Sequence, residues 1–245
     1  MRTTRVHVDL PLRAGARVDL PEDAANHLVR VLRLQPGDAC VLFNGDGRDF
    51  PATLVAANKR GVEVELGAPR DIDVESPLRI ALVQGIARGE KMDWILQKAT
   101  ELGVASVHPV QSDRSEVKLE GERAAKRLAH WRSVVVSACE QSGRSRVPAV
   151  SPSQPLQAAL DAGGLPPGRR FLLDPDGDAA IHAIDAPEGD SVLAIGPEGG
   201  WSPRDKQALH AAGFTGLRLG PRILRTETAG IAAIAALQAR FGDLR

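Results

Sequence analysis

Short alternating runs of hydrophobic and polar residues fill most of the first 66 positions, a pattern that predicts β-strands. One such run covers Val6–Leu10, and an Asn-Gly-Asp-Gly turn separates the runs 39–43 and 48–56, which indicates a β-hairpin. Residues 21–34 instead carry apolar side chains at helical spacing. The apolar face of this predicted helix consists of Ala24, Leu28, Val31 and Leu32. We therefore expect a small β-barrel with one helix.

From Leu78 onwards the pattern changes to buried strands that alternate with helices. Ser202 is a predicted N-cap, Pro203 takes the first helical position and Asp205 completes a capping box. The predicted helices cover residues 91–102, 122–142, 202–212 and 226–241, and the predicted strands cover residues 78–86, 104–110, 171–174, 192–195 and 217–219. This alternation favours an α/β fold with a parallel sheet and helices on both faces.

The change of pattern divides the chain into two predicted domains. Residues 67–77 contain two prolines and three acidic residues, which indicates a linker. We assign residues 1–70 to a β-barrel domain and residues 78–245 to an α/β domain.

Composition is that of a globular protein, with 43% hydrophobic and 25% charged residues. The longest apolar block, Ala229–Leu237, is shorter than the roughly 20 residues that span a bilayer, and the N-terminus lacks the apolar run of a signal peptide. The two cysteines, Cys40 and Cys139, are not spaced along the chain as metal ligands are, and the same holds for the six histidines. We expect a cytoplasmic protein without a metal or a membrane partner.

The formal net charge is zero, but the charges are unevenly distributed. Residues 79–146 carry 12 basic and 8 acidic side chains, and residues 201–245 carry 7 basic and 3 acidic side chains. Residues 147–200, between them, carry 2 basic and 8 acidic side chains. The basic blocks could form a phosphate-binding face, although a solvated mixture of charges explains the counts equally well.

Two strand-to-helix loops are candidates for a ligand site. The strand that ends at Ile195 leads into Gly196-Pro197-Glu198-Gly199-Gly200, and the strand that ends at Leu219 leads into residues 220–225. Glycines let backbone approach a ligand, and the carboxyl edge of a parallel sheet is where α/β folds bind ligands. A plain tight turn is the alternative for the first loop. Ile223 and Leu224 either wall a flat ring such as adenine or plug the core beneath the loop.

Several segments resemble the RsmE-type ribosomal RNA methyltransferases of the SPOUT class. The two loops contribute IGPEGGWSPRD (195–205) and LGPRILRTETA (219–229). The other matching segments are NHLVRVLRLQPGD (26–38), RGEKMDWILQKATELGV (88–104), RSE (114–116) and EQSGRSRVPAV (140–150). These motifs extend over nearly the whole chain in the order of that family, which makes the resemblance far more specific than either loop alone.

The resemblance implies a PUA-like RNA-binding barrel followed by a SPOUT domain that binds S-adenosylmethionine in a trefoil knot. It also implies a homodimer that methylates N3 of a uridine in small-subunit (16S) ribosomal RNA. We expect an assembled or nearly assembled subunit as the substrate, and free RNA stays the alternative. The expected cofactor-binding residues are Leu173, Ile195, Gly196, Pro197, Glu198, Gly199, Gly200, Leu219, Gly220, Ile223, Leu224, Arg225, Glu227, Thr228 and Ala229.

Two of these residues are candidates for catalysis. Arg225 could stabilise the negative charge that uracil acquires when N3 loses its proton. Glu198 could act as the base or position the cofactor, or it could only accept loop amides and hold the turn. Glu227 could equally well lie in the first turn of the last helix, where its negative charge interacts favourably with the helix dipole.

The expected substrate-binding residues fall into two groups. Those in the barrel could contact the RNA backbone, namely Arg2, Arg5, Arg30 and Arg33, and the others could complete the substrate site, namely Arg114, Glu140, Arg144 and Arg146. The chain has no tyrosine, three tryptophans and five phenylalanines, so RNA recognition should depend on phosphates and shape rather than on base stacking. Two rival functions remain open: a non-enzymatic ribosome-assembly factor, and a related methyltransferase that acts on transfer RNA.

The last predicted helix supplies a reason for a dimer that does not depend on the resemblance. No residue between Ala229 and Leu237 is polar, so this helix has to be covered on more than one side. A second protomer could cover it, as could other elements of the same chain.

Overall fold

The computed structural model describes residues 4–58 and 61–244. By its contacts the chain divides into two compact units. The first comprises the described residues up to Glu75 together with Cys139–Val147, and the second comprises Ser76–Ala138 and the described residues from Pro148 onwards. The sequence assigned residues 139–147 to the second domain. They belong with the first because Gly47 N donates to Ser145 O at 3.1 Å and Ser145 Oγ donates to Asp49 at 2.5 Å.

The first unit is a six-stranded sheet around one apolar core. Its elements are β1 (Arg5–His7), β2 (Arg17–Asp19), α1 (Glu22–Asn26), β3 (Ala39–Phe43), β4 (Arg48–Asn58), β5 (Gly61–Leu66) and β6 (Arg70–Asp71). The strand order is β1-β3-β4-β5-β2, and β6 pairs with β4. Among the described pairs of this first sheet, only β1 and β3 run parallel. The predicted hairpin is confirmed by the antiparallel pairing of β3 with β4.

The predicted helix over residues 21–34 is shorter and less regular than its spacing indicates. After α1 the chain continues as a π-helix over His27–Val31, in which Leu32 N bonds to His27 O, five residues back. Ala24 and Leu28 are buried as predicted, but Val31 is 67% exposed and Leu32 is 40% exposed. The expectation that both line the apolar face is wrong, because the wider turn shifts later residues out of phase with the α-helical period.

The second unit is an α/β structure with a parallel sheet. Its strands are β7 (Ile80–Gly85), β8 (Ser106–Gln111), β9 (Ala149–Val150), β10 (Gln154–Pro155), β11 (Arg169–Leu173), β12 (Ala179–Ala180), β13 (Ser191–Ile195) and β14 (Thr215–Arg218). The order is β10-β8-β7-β13-β11-β14-β12, with β9 paired to β8, and every pairing in this sheet is parallel. The predicted parallel sheet is therefore confirmed.

Helices cover both faces of this sheet. They are α2 (Glu90–Glu101), α3 (Gly121–Ser142), whose last four residues belong to the first unit, α4 (Leu156–Asp161), α5 (Pro203–Ala211) and α6 (Thr226–Phe241). Ala81 and Val83 of β7 share a buried cluster with Leu156 and Leu209 of α4 and α5. Side chains alternate along a strand, so Gln84 points to the other face, where Gly230 of α6 packs.

The predicted capping box at the start of α5 is confirmed. Ser202 Oγ accepts from Asp205 N, and Asp205 Oδ2 accepts from Ser202 N, both at 3.0 Å. No helix within the described residues is long and apolar enough to cross a membrane. The trefoil knot implied by the resemblance stays a prediction.

Candidate functional site

Strands β13 and β14 both end at the carboxyl edge of the parallel sheet, and each leads through a loop into a helix. A cavity of about 600 Å³ lies at these loops. Its volume is within the range of roughly 300–1,000 Å³ that small-molecule sites occupy. The predicted cofactor residues that line it are Leu173, Ile195, Gly196, Pro197, Glu198, Gly199, Gly200, Leu219, Gly220, Ile223, Leu224, Arg225 and Ala229.

The first loop, residues 196–200, closes tightly on itself. Gly200 N donates to Pro197 O at 2.8 Å, and the φ of +65° at Gly200 favours glycine. A Cβ on Gly196 would lie 3.1 Å from the Cα of Gly200, tighter than most real contacts. The loop therefore forms a narrow backbone cradle that larger residues would fill.

A third loop also lines the cavity. The sequence analysis assigned Leu173 to the site but not the loop residues that follow it. Asp174, Pro175 and Asp176 follow β11 directly and line the cavity. Asp174 is only 6% exposed and pairs with Lys206 Nζ at 2.7 Å. The signal was in the sequence, since Asp-Pro-Asp-Gly is a strong turn pattern placed directly after a buried strand. The other missed lining residues are Lys91, Trp201, Lys206, Arg222 and Thr226.

Arg114, which the sequence analysis assigned to the substrate site, also lines the cavity. Its Nη1 donates to Gly199 O at 2.9 Å. The loop that follows β8 thus contacts the loop that follows β13. Arg114 is exposed as well, so its guanidinium stays accessible to a ligand at the rim.

Glu198 links the first loop to the start of α2. Its Oε1 accepts from Arg88 N and from Lys91 Nζ, each at 3.1 Å. Partial burial by itself raises the pKa of this carboxyl, but hydrogen bonds from its own loop's backbone, Arg88 N and Lys91 outweigh burial and hold the pKa below 4.5. A carboxylate with a lowered pKa is a weak base, so the geometry favours the loop-holding alternative for Glu198.

The second loop presents an apolar side chain and a cation at the cavity. Ile223 is 85% exposed, so the alternative in which it plugs the core is wrong, while Leu224 is half-buried. Arg225 is exposed, and its guanidinium has no hydrogen bond or ion pair with the residues that the structure describes. Arg225 is therefore available to an anionic group that enters the cavity.

Glu227 and Thr228 do not line the cavity, in contrast to the sequence prediction. They occupy the first turn of α6, where Thr226 and Ala229 line the cavity instead. Residues three apart share a helix face, and the two residues between them point elsewhere. The motif was continuous in sequence, but the helix divides its residues between different surroundings.

Comparison with known proteins bears on this cavity. A family model described as an RNA methyltransferase domain matches residues 74–238, and one described as an RNA methyltransferase PUA domain matches residues 20–67. The ribosomal RNA small subunit methyltransferase E of Bacillus subtilis (strain 168) is 33% identical over 230 residues, which cover 91% of this chain and 90% of the relative. The chain belongs to the ribosomal RNA small subunit methyltransferase E family.

Two further members of the methyltransferase E family match over nearly their full length. That of Buchnera aphidicola subsp. Schizaphis graminum is 31% identical over 250 residues, covering 99% of this chain and 98% of the relative. The crystal structure of the Neisseria gonorrhoeae enzyme, bound to S-adenosyl methionine, has a TM-score of 0.94 and 43% identity, with 100% of both chains covered.

Two arginines expected to bind RNA in this family member are instead buried in the first unit. Arg5 pairs with Asp49 and also donates to Arg144 O and Ser145 Oγ, each at 3.0 Å. Arg144 Nε donates to Glu75 Oε1 at 3.1 Å. The side chains of Arg5 and Arg144 are only 9% and 5% exposed, so an RNA phosphate has little access to either.

The remaining predicted RNA contacts differ in accessibility. Glu140 is half-buried and accepts from His7 N at 3.0 Å, which gives it a structural role in the first unit. Arg30, Arg33 and Arg146 are exposed, and their contacts with RNA stay predictions. Arg2 lies outside the described residues.

The described residues contain no group of three or more His, Cys, Asp or Glu side chains that could hold a metal ion. Both cysteines are buried, and burial raises the pKa of each thiol to about 11. Such thiols are poor nucleophiles at neutral pH.

Proposed function

We propose that this chain transfers a methyl group from S-adenosylmethionine to N3 of a uridine in small-subunit (16S) ribosomal RNA. The observation that carries the proposal is the cavity at the carboxyl edge of the parallel sheet, with glycine loops in its walls. Membership of the methyltransferase E family and the S-adenosyl methionine bound to the gonococcal relative support the same ligand here.

The residues around the cavity suit the chemical groups of this cofactor. Ile195, Leu219 and Leu224 offer apolar contacts to an adenine ring, and the glycine loop leaves room for close backbone contacts. The Asp174 carboxylate is of the type that accepts ribose hydroxyls. We assign cofactor binding to the predicted residues that line the cavity other than Arg225, whose partner in our proposal is the substrate, and we omit Glu227 and Thr228.

S-adenosylmethionine supplies a methyl group activated by the positive charge of its sulfonium. Uracil N3 must lose its proton, and in our proposal solvent water accepts it because Glu198 is a weak base. This leaves negative charge on the ring nitrogen and its carbonyl oxygens. Arg225 lies at the cavity without a partner among the described residues, and in our proposal its guanidinium stabilises that charge. Glu198 holds the first loop against Arg88 and Lys91, which keeps the reacting groups aligned.

The exposed arginines Arg30, Arg33 and Arg146 are the proposed phosphate contacts of the first unit. We place the reaction in the cytoplasm, on an assembled or nearly assembled small subunit. The substrate would then present a folded RNA surface, which suits recognition through phosphates and shape.

A homodimer through α6 completes the proposal. Ile231, Ala232, Ala235 and Ala236 are only half-buried, and Ala239 is exposed, although this segment of the helix is apolar. An apolar helix face left partly open in one chain favours a partner, and small side chains permit close approach. In a two-fold dimer the same patch would meet its own copy.

Product analysis tests the reaction directly. Purified protein is incubated with S-adenosylmethionine labelled in the methyl group and, separately, with small ribosomal subunits, free 16S RNA and transfer RNA. Nucleosides from each RNA are then separated by mass. We expect labelled N3-methyluridine from ribosomal RNA only, whereas label in transfer RNA would support the rival methyltransferase. Absence of cofactor binding would support the assembly factor.

An Arg225→Ala variant tests the proposed role of this residue. Turnover should fall by about 100-fold or more, as when a group that stabilises charge in the transition state is removed. Cofactor affinity should stay within a few-fold, because the partner of Arg225 is the uracil. Turnover within a few-fold of wild type would contradict the assignment.

A further inference from the structure

A glutamine is buried in the centre of the apolar parallel sheet. Every residue of β7 is buried, and Gln84 is 0% exposed. The strand lies between β8 and β13, so both of its edges are paired. A buried amide destabilises a fold unless its polar atoms are hydrogen-bonded, which raises the question of what Gln84 contributes.

The amide of Gln84 links three elements at the carboxyl edge. Its Nε2 donates to Gly85 O at 2.9 Å and to Thr226 Oγ1 at 3.2 Å, and it lies 3.5 Å from Gly196 O. Thr226 Oγ1 in turn donates to Gly196 O at 2.5 Å. The Thr226 hydroxyl thus accepts one hydrogen bond, from Gln84, and donates one, to Gly196 O.

These bonds end at the two loops that wall the cavity. Gly196 begins the first loop, and Thr226 is the first residue of α6, directly after the second loop. Both residues line the cavity. One amide and one hydroxyl therefore fix the start of one loop relative to the end of the other.

Stability alone does not explain the choice of glutamine. The Oε1 atom of Gln84 is buried and has no hydrogen-bond partner among the described residues. Leaving a buried carbonyl unsatisfied is unfavourable, whereas an apolar side chain of similar length would avoid that cost. The polar side chain is better explained by the geometry that it imposes on the loops.

We propose that Gln84 and Thr226 are positioning residues that hold the two loops in the arrangement that binds the cofactor. The proposal rests on the proposed function, because it takes S-adenosylmethionine as the ligand of the cavity. A preformed site avoids the entropy lost when loops become ordered on binding. Without the amide and the hydroxyl, the loops would sample other arrangements and the cofactor would have to order them.

The test replaces Gln84 by methionine, which has a similar length but no amide, and measures cofactor binding rather than turnover. Calorimetry with S-adenosylmethionine and with S-adenosylhomocysteine should give dissociation constants raised by about tenfold. Urea unfolding should show stability close to that of wild type, since the loss of the two Nε2 hydrogen bonds is offset by the removal of the unsatisfied carbonyl. A purely structural role predicts the opposite: lower stability and unchanged affinity of the folded protein.

Gln238→Met is the matched control. Gln238 is also 0% exposed, and it bonds to Ser76 at 2.5 Å and to Leu102 O at 3.1 Å, away from the cavity lining. This variant should lose stability and keep its cofactor affinity. The comparison separates loss of any buried amide from loss of the amide that contacts the loops.

Thr226 gives an independent test that does not depend on how well Gln84→Met folds. Thr226→Val removes the hydroxyl at nearly constant volume and should weaken binding by about tenfold, whereas Thr226→Ser should restore affinity to near wild type. If folded Gln84→Met and folded Thr226→Val both bind the cofactor as tightly as wild type, the positioning role is refuted. The proposed function would not be affected by that result. A wild-type protein that fails to bind the cofactor would overturn the proposed function as well.

Discussion

Adding one methyl group to Gly85, the last residue of β7, should displace the cofactor loop. A Cβ at this position would lie 2.5 Å from Pro197 Cδ, 2.6 Å from Pro197 N and 3.0 Å from the carbonyl carbon of Gly196. The φ of Gly85 is not in the left-handed region, so alanine causes no backbone strain there. The substitution Gly85→Ala is therefore a steric test alone.

The size of the displacement follows from these distances. Carbon atoms in contact lie about 3.5–4.0 Å apart, so something must move by about 1 Å. Strand β7 is held on both sides, by β8 and β13, and the proline ring is stiff. The loop should therefore move outward, at a stability cost of about 1–3 kcal/mol. A shift of about 1 Å in a binding loop should weaken cofactor affinity by tenfold or more, about 1.4 kcal/mol.

Calorimetric titration with S-adenosylmethionine measures the affinity, and urea unfolding measures the stability. Gly164→Ala is the control, since a Cβ there meets nothing within 4 Å and the φ of Gly164 is likewise outside the left-handed region. That variant should match wild type in both measurements. If folded Gly85→Ala binds the cofactor as tightly as wild type, either the loop tolerates the displacement or the ligand does not depend on it, and the reasoning is refuted.

Three further predictions concern other parts of the chain. Replacing Arg30 and Arg33 together by alanine should weaken RNA binding and flatten its salt dependence without changing cofactor affinity, and an unchanged salt slope would contradict their role as phosphate contacts. Light scattering should give about twice the 26.1 kDa chain mass, and Ala235→Arg should reduce it to that of one chain; active wild-type monomer would refute the dimer. Burial lowers the pKa of the His108 imidazole below 6.5. As the pH falls through about 6.5, the unfolded chain therefore binds a proton that the folded chain excludes, and the free energy of unfolding decreases. Urea unfolding at about pH 7.5 and about pH 5.5 should show this decrease, and His108→Gln should make it smaller; equal decreases in both proteins would exclude His108 as the cause.

Local patterns in the sequence determined the elements and the class of fold. The β3–β4 hairpin and the capping box at Ser202 depend on residues close together in the chain, and both were predictable. The strand-to-helix order in turn placed both glycine loops at one sheet edge. Such features are readable because turn chemistry and periodicity act over a few residues.

Tertiary structure alone decided which charged side chains remain free. Arg5 and Arg225 look alike as basic residues beside apolar ones, yet Arg5 pairs with Asp49, 44 residues away, and Arg225 has no partner among the described residues. Glu227 belongs to the segment LGPRILRTETA that carries part of the family resemblance, yet the turn of α6 moves it out of the cavity lining. Gln84 gave no signal, because its partner Thr226 is 142 residues distant. Hydrogen bonds and ion pairs depend on positions in space to within an ångström. A sequence pattern determines which residue types are present, whereas packing determines which of them meet.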